Sequence, residues 1–305
     1  MDVYYEGVNI TGDVLVKSCV VRDTVSGRCD GLEIVFEDSG RWFRWGPKED
    51  DRIIVRHMGY DSGVMYVNTV TPEDGRYRIL ATSLPCLARR KEYRSFKNRT
   101  VGEIINACAS NTGMQYALYG VNAAAPVRYI EQGGESAAAF LYRLLTLEGA
   151  AFKCVQGRYT GIGILWAQEQ NATQTLELAA DQLGVIYQRG GDALRKLVIV
   201  MPGARVVATD TAIQNIAASK VLASLPVSEA HQAGRWARGL LLSHNRKREI
   251  LKLDLSFRPS MTAMIRIDVR GGTDADGPWL TENVEHDLIN EETSVKLYRC
   301  VSSII

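Results

Sequence analysis

The sequence of 305 residues has few of the features that mark catalytic, exported or membrane proteins. It contains four histidines and six cysteines, and its formal net charge is +1. A charge so close to zero gives no general attraction to nucleic acid or to an anionic membrane. No apolar run approaches the roughly 20 residues that a membrane-spanning helix needs. The N-terminal segment lacks the basic start and apolar stretch of a signal peptide, so we expect no membrane association and no export by the general secretory route.

The cysteines form no closely spaced pair of the kind that binds zinc or exchanges disulfides. Cys19, Cys108 and Cys154 lie among apolar residues with strand-like or helix-like spacing. Such positions are typical of reduced, buried thiols in a protein made in the cytosol. The sequence therefore predicts no metal site and no cofactor.

The histidines also indicate no catalytic group. His286 has the most acidic surroundings, in the segment ENVEHDL, where Glu285 and Asp287 flank it. On a strand these two carboxylates point away from the imidazole, so the three side chains do not converge as a metal or acid–base site requires. The sequence also lacks a nucleophile elbow and a lysine-containing phosphate loop. We therefore expect His286 to be structural and the protein not to be an enzyme.

Residues 1–95 are predicted to form a small all-β domain. The segment GLEIVFED places Leu32, Ile34 and Phe36 on one face, and GRYRILATSL alternates in the same way. Alternation with a period of two marks half-buried strands. Several short strands separated by turns indicate a small barrel or sandwich.

The strongest run of one charge is RRKEYRSFKNR, residues 89–99, which has six basic residues and one acidic residue. We interpret this run either as a solvated connector at a domain boundary or as a rim that docks on an acidic protein surface. The alternative is nucleic-acid binding, because Tyr93 and Phe96 lie among basic residues and aromatic rings can stack on bases. The candidate partner-binding residues are Arg89, Arg90, Lys91, Arg94, Lys97 and Arg99.

Residues 96–190 are predicted to form a central α+β domain. Its first helix begins at Thr100, which with Glu103 has the spacing of a capping box. Apolar residues then recur at helical spacing until Gly113 ends the helix.

The second helix of this domain follows Ser136 and has a wide apolar face. Gly149 supplies its C-terminal turn, and the segments AAFKCV and GIGILW are predicted to be strands. The structural residues expected on the apolar face are Phe140, Leu141 and Leu144.

Residues 191–305 are predicted to form a second β-domain with an inserted helix at 228–245. The segments ILKLDLSF, MIRIDVR and TSVKLYRCV all alternate strongly, as half-buried strands do. This closing third resembles the opening third in type, although no repeated sequence links them. Trp279 and His286 are its expected structural residues.

Three segments, in this order and spacing, resemble a known family. They are YIEQGGESAAAFLYRLLTLEGAAFKCVQG, SEAHQAGRWARGLLLSHNRKREILKLDLSF and PWLTENVEHDLINEETSVKLYRC. Nearly the whole chain resembles the baseplate hub family of contractile tails, the late control gene D proteins, whose architecture also forms the hub part of type VI secretion spike proteins. The chain departs from the family pattern at PSMTAMIRI, where an apolar–glycine turn is usual, and at Ala137–Ala139, where an acidic residue is common.

The resemblance implies a fold class and a function. The fold would be α+β and mainly β, with two small tube-like antiparallel β-barrels flanking a small α+β domain. The function would be that of a structural baseplate hub in a contractile tail or tail-like particle. Three copies would form a pseudo-sixfold ring that joins a trimeric spike to the hexameric tail tube.

The resemblance also implies partners and a location. The expected partners are copies of the chain itself, the tail tube ring, the spike protein and neighbouring baseplate or wedge proteins. No membrane and no specific nucleic acid is expected, although DNA can pass through the channel. The protein would be made in the bacterial cytoplasm and assembled into a virion tail baseplate or a tail-like particle that lysis releases.

Two functions from other classes stay open. A cell-wall-degrading tail enzyme would need a convergent acid pair or metal-ligand set, which the sequence does not show. A nucleic-acid-binding module would use residues 89–99, and its binding would depend strongly on salt.

Overall fold

Strands dominate the structure, which is a computed structural model. It describes residues 1–25, 27, 29–37, 46–73, 75–178, 182–301 and 303–305, without the side chains of residues 73 and 182. Helices are short and few beside the strands. The predicted fold class, α+β and mainly β, is confirmed.

The strands and helices alternate unevenly along the chain. The strands are β1 (Asp2–Tyr5), β2 (Val8–Asn9), β3 (Val16–Thr24), β4 (Gly31–Glu37), β5 (Arg52–His57), β6 (Tyr60–Asp61), β7 (Met65–Glu73), β8 (Arg76–Thr82), β9 (Lys91–Thr100), β10 (Gln115–Tyr119), β11 (Pro126–Ser136), β12 (Ala150–Val155), β13 (Arg158–Gly163), β14 (Gln174–Glu177), β15 (Gln182–Arg189), β16 (Lys196–Met201), β17 (Ala204–Thr209), β18 (Ser219–Leu222), β19 (Glu249–Ser256), β20 (Arg266–Arg270), β21 (Gly277–Asp287) and β22 (Glu292–Arg299). The helices are α1 (Cys86–Arg89), α2 (Val101–Thr112), α3 (Ala137–Leu147), α4 (Ile164–Glu169) and α5 (Ala230–Asn245), followed by a 3-10 turn at Arg246–Arg248. Within the described ranges, none of the helices has the length and apolar character that a membrane crossing needs.

Strands β1–β8 form the first β unit. β4 buries Leu32, Ile34 and Phe36 and turns Glu33 and Glu37 away from the core, as its alternation predicts. Removing such side chains from water supplies most of the stability of a small sheet. The same core takes inward residues from the other strands, including Val3, Cys19, Val21, Ile53, Val55, Met65, Val67, Tyr77 and Ile79.

Strands β14, β15 and β19–β22 form the second β unit. β19 buries Leu251, Leu253 and Leu255, again at every second position. Trp279 on β21 is fully buried among them and is one of the largest buried side chains of the molecule. The alternating strands of the closing third therefore form a core of their own.

The two β units are parts of one sheet. β21 of the second unit pairs antiparallel with β3 of the first, which gives a 14-stranded sheet among the described residues. On one side of this junction the strand order is β15–β19–β22–β21, and on the other it is β3–β4–β8–β7. Each half thus has the order first, second, fourth, third in chain sequence. The sequence suggests only that the opening and closing thirds contain similar strands. The strand order shows that the two β units have the same arrangement.

The central unit comprises β9–β13, α1–α4, β16–β18 and α5. Its core is the largest apolar cluster among the residues that the structure describes. Phe140 of α3 stacks on Phe96 of β9, with ring centroids 5.5 Å apart. Trp236 and Leu241 of α5 enter the same core, so α5 joins the small sheet β16–β18 to α3.

The caps of the two predicted helices are confirmed. Thr100 and Glu103 exchange both bonds of a capping box, with N–O distances of 2.8 and 3.2 Å. Gly113 ends α2 with φ 68°. The hydroxyl of Ser136 accepts from the N–H of Ala139 at the start of α3.

Helix α5 passes very close to the end of α3. A Cβ atom at Gly239 would lie 2.2 Å from the carbonyl oxygen of Leu147, well inside van der Waals contact. Any side chain larger than hydrogen would force the two helices apart. This close approach fixes α5 on the central unit.

One predicted strand is wrong in its second half. The segment GIGILW was expected to be a strand, but β13 ends at Gly163 and α4 starts at Ile164. Ile164 and Ala167 are buried while Leu165 and Trp166 are exposed, which is helical spacing. The apolar run is too short to show its period before the chain turns.

The basic run is a strand and not a connector. β9 spans most of it and pairs antiparallel with β11. Phe96 is its only buried residue, so its sequence shows no apolar alternation. The charged side chains of this strand hide the period of two.

The predicted domain limits at 95 and 190 stay predictions, and the packing adds two observations to them. Residues 174–177 and 182–189 pair with strands of the closing third. The segment at 196–245 packs instead in the central core. The chain thus enters the second β unit, returns to the central unit and then completes the second unit.

Candidate interaction surfaces

The six basic candidates lie along α1 and β9 but differ in accessibility. Arg89 is half-buried, and its guanidinium contacts Asn68 and pairs with Glu49 at 3.2 Å. Arg94 is also half-buried and lies over the ring of Phe96, 5.4 Å from its centroid. These two side chains are held within the molecule. The four exposed members are Arg90, Lys91, Lys97 and Arg99.

Two open clefts flank β9. One has a volume of 670 Å³ and is lined by three basic side chains and one acidic one, which are Arg94, Lys97, Arg99 and Glu103. The other has a volume of 360 Å³ and includes Arg99, Arg128, Glu229 and His231. Arg99 lines both clefts, and its partner Glu103 lies 3.6 Å away at the surface. The strand therefore presents a grooved surface on which Arg94 and Arg99 have acidic partners, Glu92 and Glu103.

The two aromatic residues of the basic run have different environments. Tyr93 is 86% exposed, whereas Phe96 is buried against Phe140. A buried ring cannot stack on a base. The surface thus offers a single accessible ring among its basic residues, which weakens the nucleic-acid alternative.

The other candidate residues lie in the cores. Phe140, Leu141 and Leu144 form the apolar face of α3 and are fully buried. Trp279 donates its Nε1 hydrogen to the carbonyl of Ala275 at 2.8 Å. Each has the surroundings expected of a packing residue, although its role stays a prediction.

His286 is fully buried where the two β units meet. Its Nδ1 lies 3.0 Å from the hydroxyl of Thr293, and its Nε2 lies 3.1 Å from the carbonyl oxygen of Met261. The ring also contacts Tyr60 of the first unit, with centroids 4.6 Å apart. Burial lowers the pKa of His286 below its ordinary value. The imidazole is therefore neutral and has a hydrogen-bond partner at each ring nitrogen, as expected of a packing residue at this junction.

A polar seam joins all three units. The Nζ of Lys153, on β12 of the central unit, lies 2.6 Å from a carboxylate oxygen of Asp23 on β3. The same Nζ lies 2.7 Å from the hydroxyl of Thr262, which precedes β20. The N–H of Ala263 also donates to Asp23, at 3.2 Å. We call Asp23, Lys153 and Thr262 the polar seam.

Asp30 lies beside the polar seam and shares a cavity of 320 Å³ with it. Burial, and then the charge of Asp23, raises the pKa of Asp30 to about 8. The backbone N–H of Thr24 donates to its carboxyl at 3.0 Å. Sequence analysis missed this group. The lysine inside the apolar segment AAFKCV was its one available signal, since an unpaired lysine is almost never fully buried.

The described residues contain no group of three or more histidine, cysteine or acidic side chains placed to hold a metal ion. Cys19, Cys108 and Cys154 are buried free thiols, as predicted. Burial raises the pKa of Cys19 and of Cys108 to about 12 in each case, which removes the thiolate that a nucleophile requires.

A second surface, which sequence analysis also missed, is the edge strand β15. It is the end strand of the 14-stranded sheet as far as the chain is described. Leu183, Val185 and Ile186 are exposed along it. Natural proteins usually cover or charge such an apolar edge, so this strand is a candidate contact.

Comparison with known proteins supports the resemblance found in the sequence. Residues 62–197 match the family profile described as phage tail baseplate hub. No curated protein matches the chain by sequence. The resemblance to the baseplate hub family is thereby confirmed over the central part of the chain.

Solved structures extend the likeness to the whole fold. The chain is similar to a 43 kDa tail protein of prophage MuSo2 from Shewanella oneidensis, with a TM-score of 0.76 and 13% identity over 98% of this chain and 97% of that one. It is similar to a tail protein from Neisseria meningitidis, with a TM-score of 0.74 and 10% identity over 98% and 95%. A type VI secretion component from E. coli, which is itself structurally similar to T4 tail proteins, gives a TM-score of 0.61 and 14% identity over 97% and 76%. The chain thus has the fold of phage tail proteins.

Proposed function

We propose that the protein is the structural hub of a tail baseplate, and that three copies form a pseudo-sixfold ring between a trimeric spike and the hexameric tail tube. The observation that carries this proposal is the repeated strand order of the two β units. One chain with two equivalent units supplies six units from three copies. Such a ring can meet threefold symmetry on one side and sixfold symmetry on the other.

Other features of the molecule support a role in assembly rather than in catalysis. The central unit is built around an apolar core, and the described residues contain no group of three or more histidine, cysteine or acidic side chains placed to hold a metal ion. We infer that it is a spacer that holds the two β units in place. The accompanying partners would be the tube ring, the spike protein and neighbouring baseplate or wedge proteins.

The exposed members of the basic surface suggest one of these contacts. Arg90, Lys91, Lys97 and Arg99 are exposed, and Lys97 and Arg99 line the larger cleft beside β9. An acidic protein surface would complement them. Charges at the rim of an interface mainly guide approach and register. Reversing Arg90, Lys91 and Lys97 together should slow particle assembly, whereas reversing Arg89 as well adds a structural effect, because Arg89 is held by Asn68.

Two measurements test the proposal. Mass photometry of hub complexes should give three copies, and a stable dimer in the assembled particle would contradict it. Deletion of the gene should abolish particles with joined tubes and spikes. We expect synthesis in the bacterial cytoplasm and incorporation into a virion tail or a tail-like particle released by lysis. A zymogram with cell-wall substrate separates this function from the enzymatic alternative, for which we expect no clearing.

A further inference from the structure

The two β units correspond residue by residue and not only in strand order. Strand β3 has a β-bulge where it pairs with β4, and Lys17 is the extra residue. Strand β15 has a β-bulge where it pairs with β19, and Leu183 is the extra residue. In the same way, β7 has the extra residue Asn68 against β8, and β21 has Glu282 against β22. Bulges mark specific positions in a sheet. Their coincidence aligns the two units without any reference to sequence identity.

A left-handed residue confirms this alignment. Asp50 before β5 has φ 73°, and Met264 before β20 has φ 65°. The N–H of Asp50 donates to the carbonyl of Val67 at 2.8 Å, and that of Met264 donates to Thr281 at 2.9 Å. Val67 and Thr281 are the residues just before the two corresponding bulges. The units are therefore two copies of one structural pattern.

Within the chain, these units are joined by one edge from each. The ladder between β21 and β3 runs from the pair Asn283–Thr24 to the pair Asp287–Val20. This ladder uses the part of β21 that follows the bulge. In the alignment of the two units, β21 corresponds to β7 and β3 corresponds to β15. The equivalent edges are therefore the part of β7 after its bulge and the outer edge of β15.

Both corresponding edges are unoccupied in the described part of the chain. β8 pairs with β7 along one edge as far as Glu73. On the other edge β5 covers β7 only up to Val67, and no described strand pairs with this edge after that residue. β15 pairs with β19 on one side, and no described strand lies on its other side. Within the residues that the structure describes, each copy of the chain thus has one free edge of each kind.

Exposure follows from this difference in neighbours. Cys19 of β3 is 0% exposed, whereas Val185, its counterpart on β15, is 40% exposed. Val284 of β21 is 1% exposed, whereas its counterpart Val70 on β7 is half-buried. Apolar side chains that a neighbour covers at the internal junction are uncovered at the free edges.

We propose that β7 of one copy pairs antiparallel with β15 of a second copy, in the register of the internal junction. That register places Thr71 opposite Gln188 and Val70 opposite Arg189. The contact is head-to-tail, because the two edges differ, and head-to-tail contacts close into rings or continue as filaments. The choice of a ring of three rests on the function proposed above.

The pair Thr71–Gln188 corresponds to Glu285–Arg22 of the internal junction. There the Nε of Arg22 lies 2.7 Å from a carboxylate oxygen of Glu285. The new pair would be a non-hydrogen-bonded pair of the ladder, in which Cα atoms lie about 4.5 Å apart. Disulfides span Cα distances of about 4.4–6.8 Å, so cysteines at these two positions are suited to report the contact.

Proline at position 72 limits the length of the new ladder. At the internal junction, Leu288 donates its N–H to the carbonyl of Cys19, so His286, two residues earlier, also faces β3. Pro72 corresponds to His286 and has no N–H to donate outward. Its position leaves the β7–β8 ladder intact but removes one bond to a neighbour. The contact is therefore centred on Val70 and on the residue that follows it.

The test uses the full chain with the exposed Cys86 replaced by serine. Thr71→Cys and Gln188→Cys are introduced together, and the protein is oxidised at high concentration. We expect covalent multimers that end at three copies, with a cross-linked peptide between positions 71 and 188. The matched control is Thr71→Cys with Val221→Cys, since Val221 is also exposed but lies in a different sheet. The first pair should give several-fold more cross-link.

The outcomes separate the pairing from the hub function. Cross-linking no stronger than in the control, with trimers still present by mass photometry, overturns the pairing and leaves the hub function standing. A chain that does not self-associate, and whose gene is dispensable for particles, overturns both. A cross-link within one chain, seen as a monomer with the same linked peptide, also overturns the pairing.

Discussion

The core of the central unit and the polar seam beside it hold the molecule together in opposite ways. The core joins α2, α3 and α5 to six strands of the central unit through buried apolar side chains, of which Phe140 and Trp236 are fully buried. The polar seam joins the same unit to both β units through a nearly buried lysine and a carboxylate, 2.6 Å apart. The free energy that apolar burial contributes in the core is large and does not depend on pH. The contribution of the polar seam depends on its geometry and on the charges of its side chains.

This difference suggests a division of tasks. The stabilisation from apolar packing grows with buried area and has no preferred direction, although a smaller apolar cluster that includes Val25, Ala151 and Leu280 also crosses between the units. A buried ion pair adds little net stability, but breaking it leaves an uncompensated charge. We infer that the polar seam sets the angle between the central unit and the β units.

The largest effect is expected from a charge in the core. Leu144→Asp should destabilise the central unit by about 4–5 kcal/mol, because it buries an unpaired carboxylate in an apolar cluster. Thermal melts with circular dichroism would measure it. Arg143→Ala is the control, since Arg143 is on the exposed side of α3 and bonds Glu135; its effect should stay within about 1 kcal/mol. Equal effects would show that the comparison between core and surface is wrong.

The second effect is expected from breaking the polar seam. Lys153→Met should cost about 3 kcal/mol, because Asp23 then loses its positive partner while it stays nearly buried. Adding Asp23→Asn to this variant should recover part of the loss, since no charge then stays unpaired. Urea unfolding of the three proteins gives the coupling. A double variant less stable than the single one would contradict this account.

An effect that depends on pH is expected from Asp30. Because the pKa of Asp30 is raised to about 8, the folded state keeps a proton that the unfolded state releases above about pH 4. Stability should therefore fall as the pH rises from about 4 to 8. Asp30→Asn removes this dependence. The stability of the variant relative to the parent should therefore be higher at pH 8 than at pH 5. Melting temperatures of parent and variant that change in the same way with pH across this range would show that the pKa of Asp30 is not raised.

The smallest effect is expected at the junction of the two β units. His286→Gln should cost about 1 kcal/mol at neutral pH, because glutamine can replace one of its two hydrogen bonds. Its burial lowers the pKa of His286, so the parent should lose stability as the pH falls below about 6.5, and the variant should lose less. Tails should assemble with the variant. Stoichiometric zinc in the parent that disappears in the variant would show a metal site instead.

The sequence predicts the strongly patterned parts of the fold. Leu32, Ile34 and Phe36 alternate on one face, and Thr100 with Glu103 marks a helix start, because each signal lies within a few neighbouring residues. Local periodicity reports burial directly. The family resemblance supplied the fold class and the architecture that strand patterns alone leave open.

The sequence does not predict contacts between distant residues. Asp23 and Lys153 are 130 positions apart, and nothing local to either residue indicates the other. The strand β9 was missed because its outward side chains are charged, and α4 was missed because six residues show too little of a helical period. The basic surface was found by charge, but the inward direction of Arg89 depends on Asn68, which lies on another strand.

The junction between β21 and β3 also limits when its contacts can form during synthesis of the chain. Arg22 and Glu285, which meet there, are 263 residues apart. At about 5–20 residues per second, the ribosome needs roughly 13–50 s to make the second after the first. Until then, the edge of β3 has no partner from its own chain and can template pairing with another nascent chain. The contact that unites the two halves is among the last that translation allows to form.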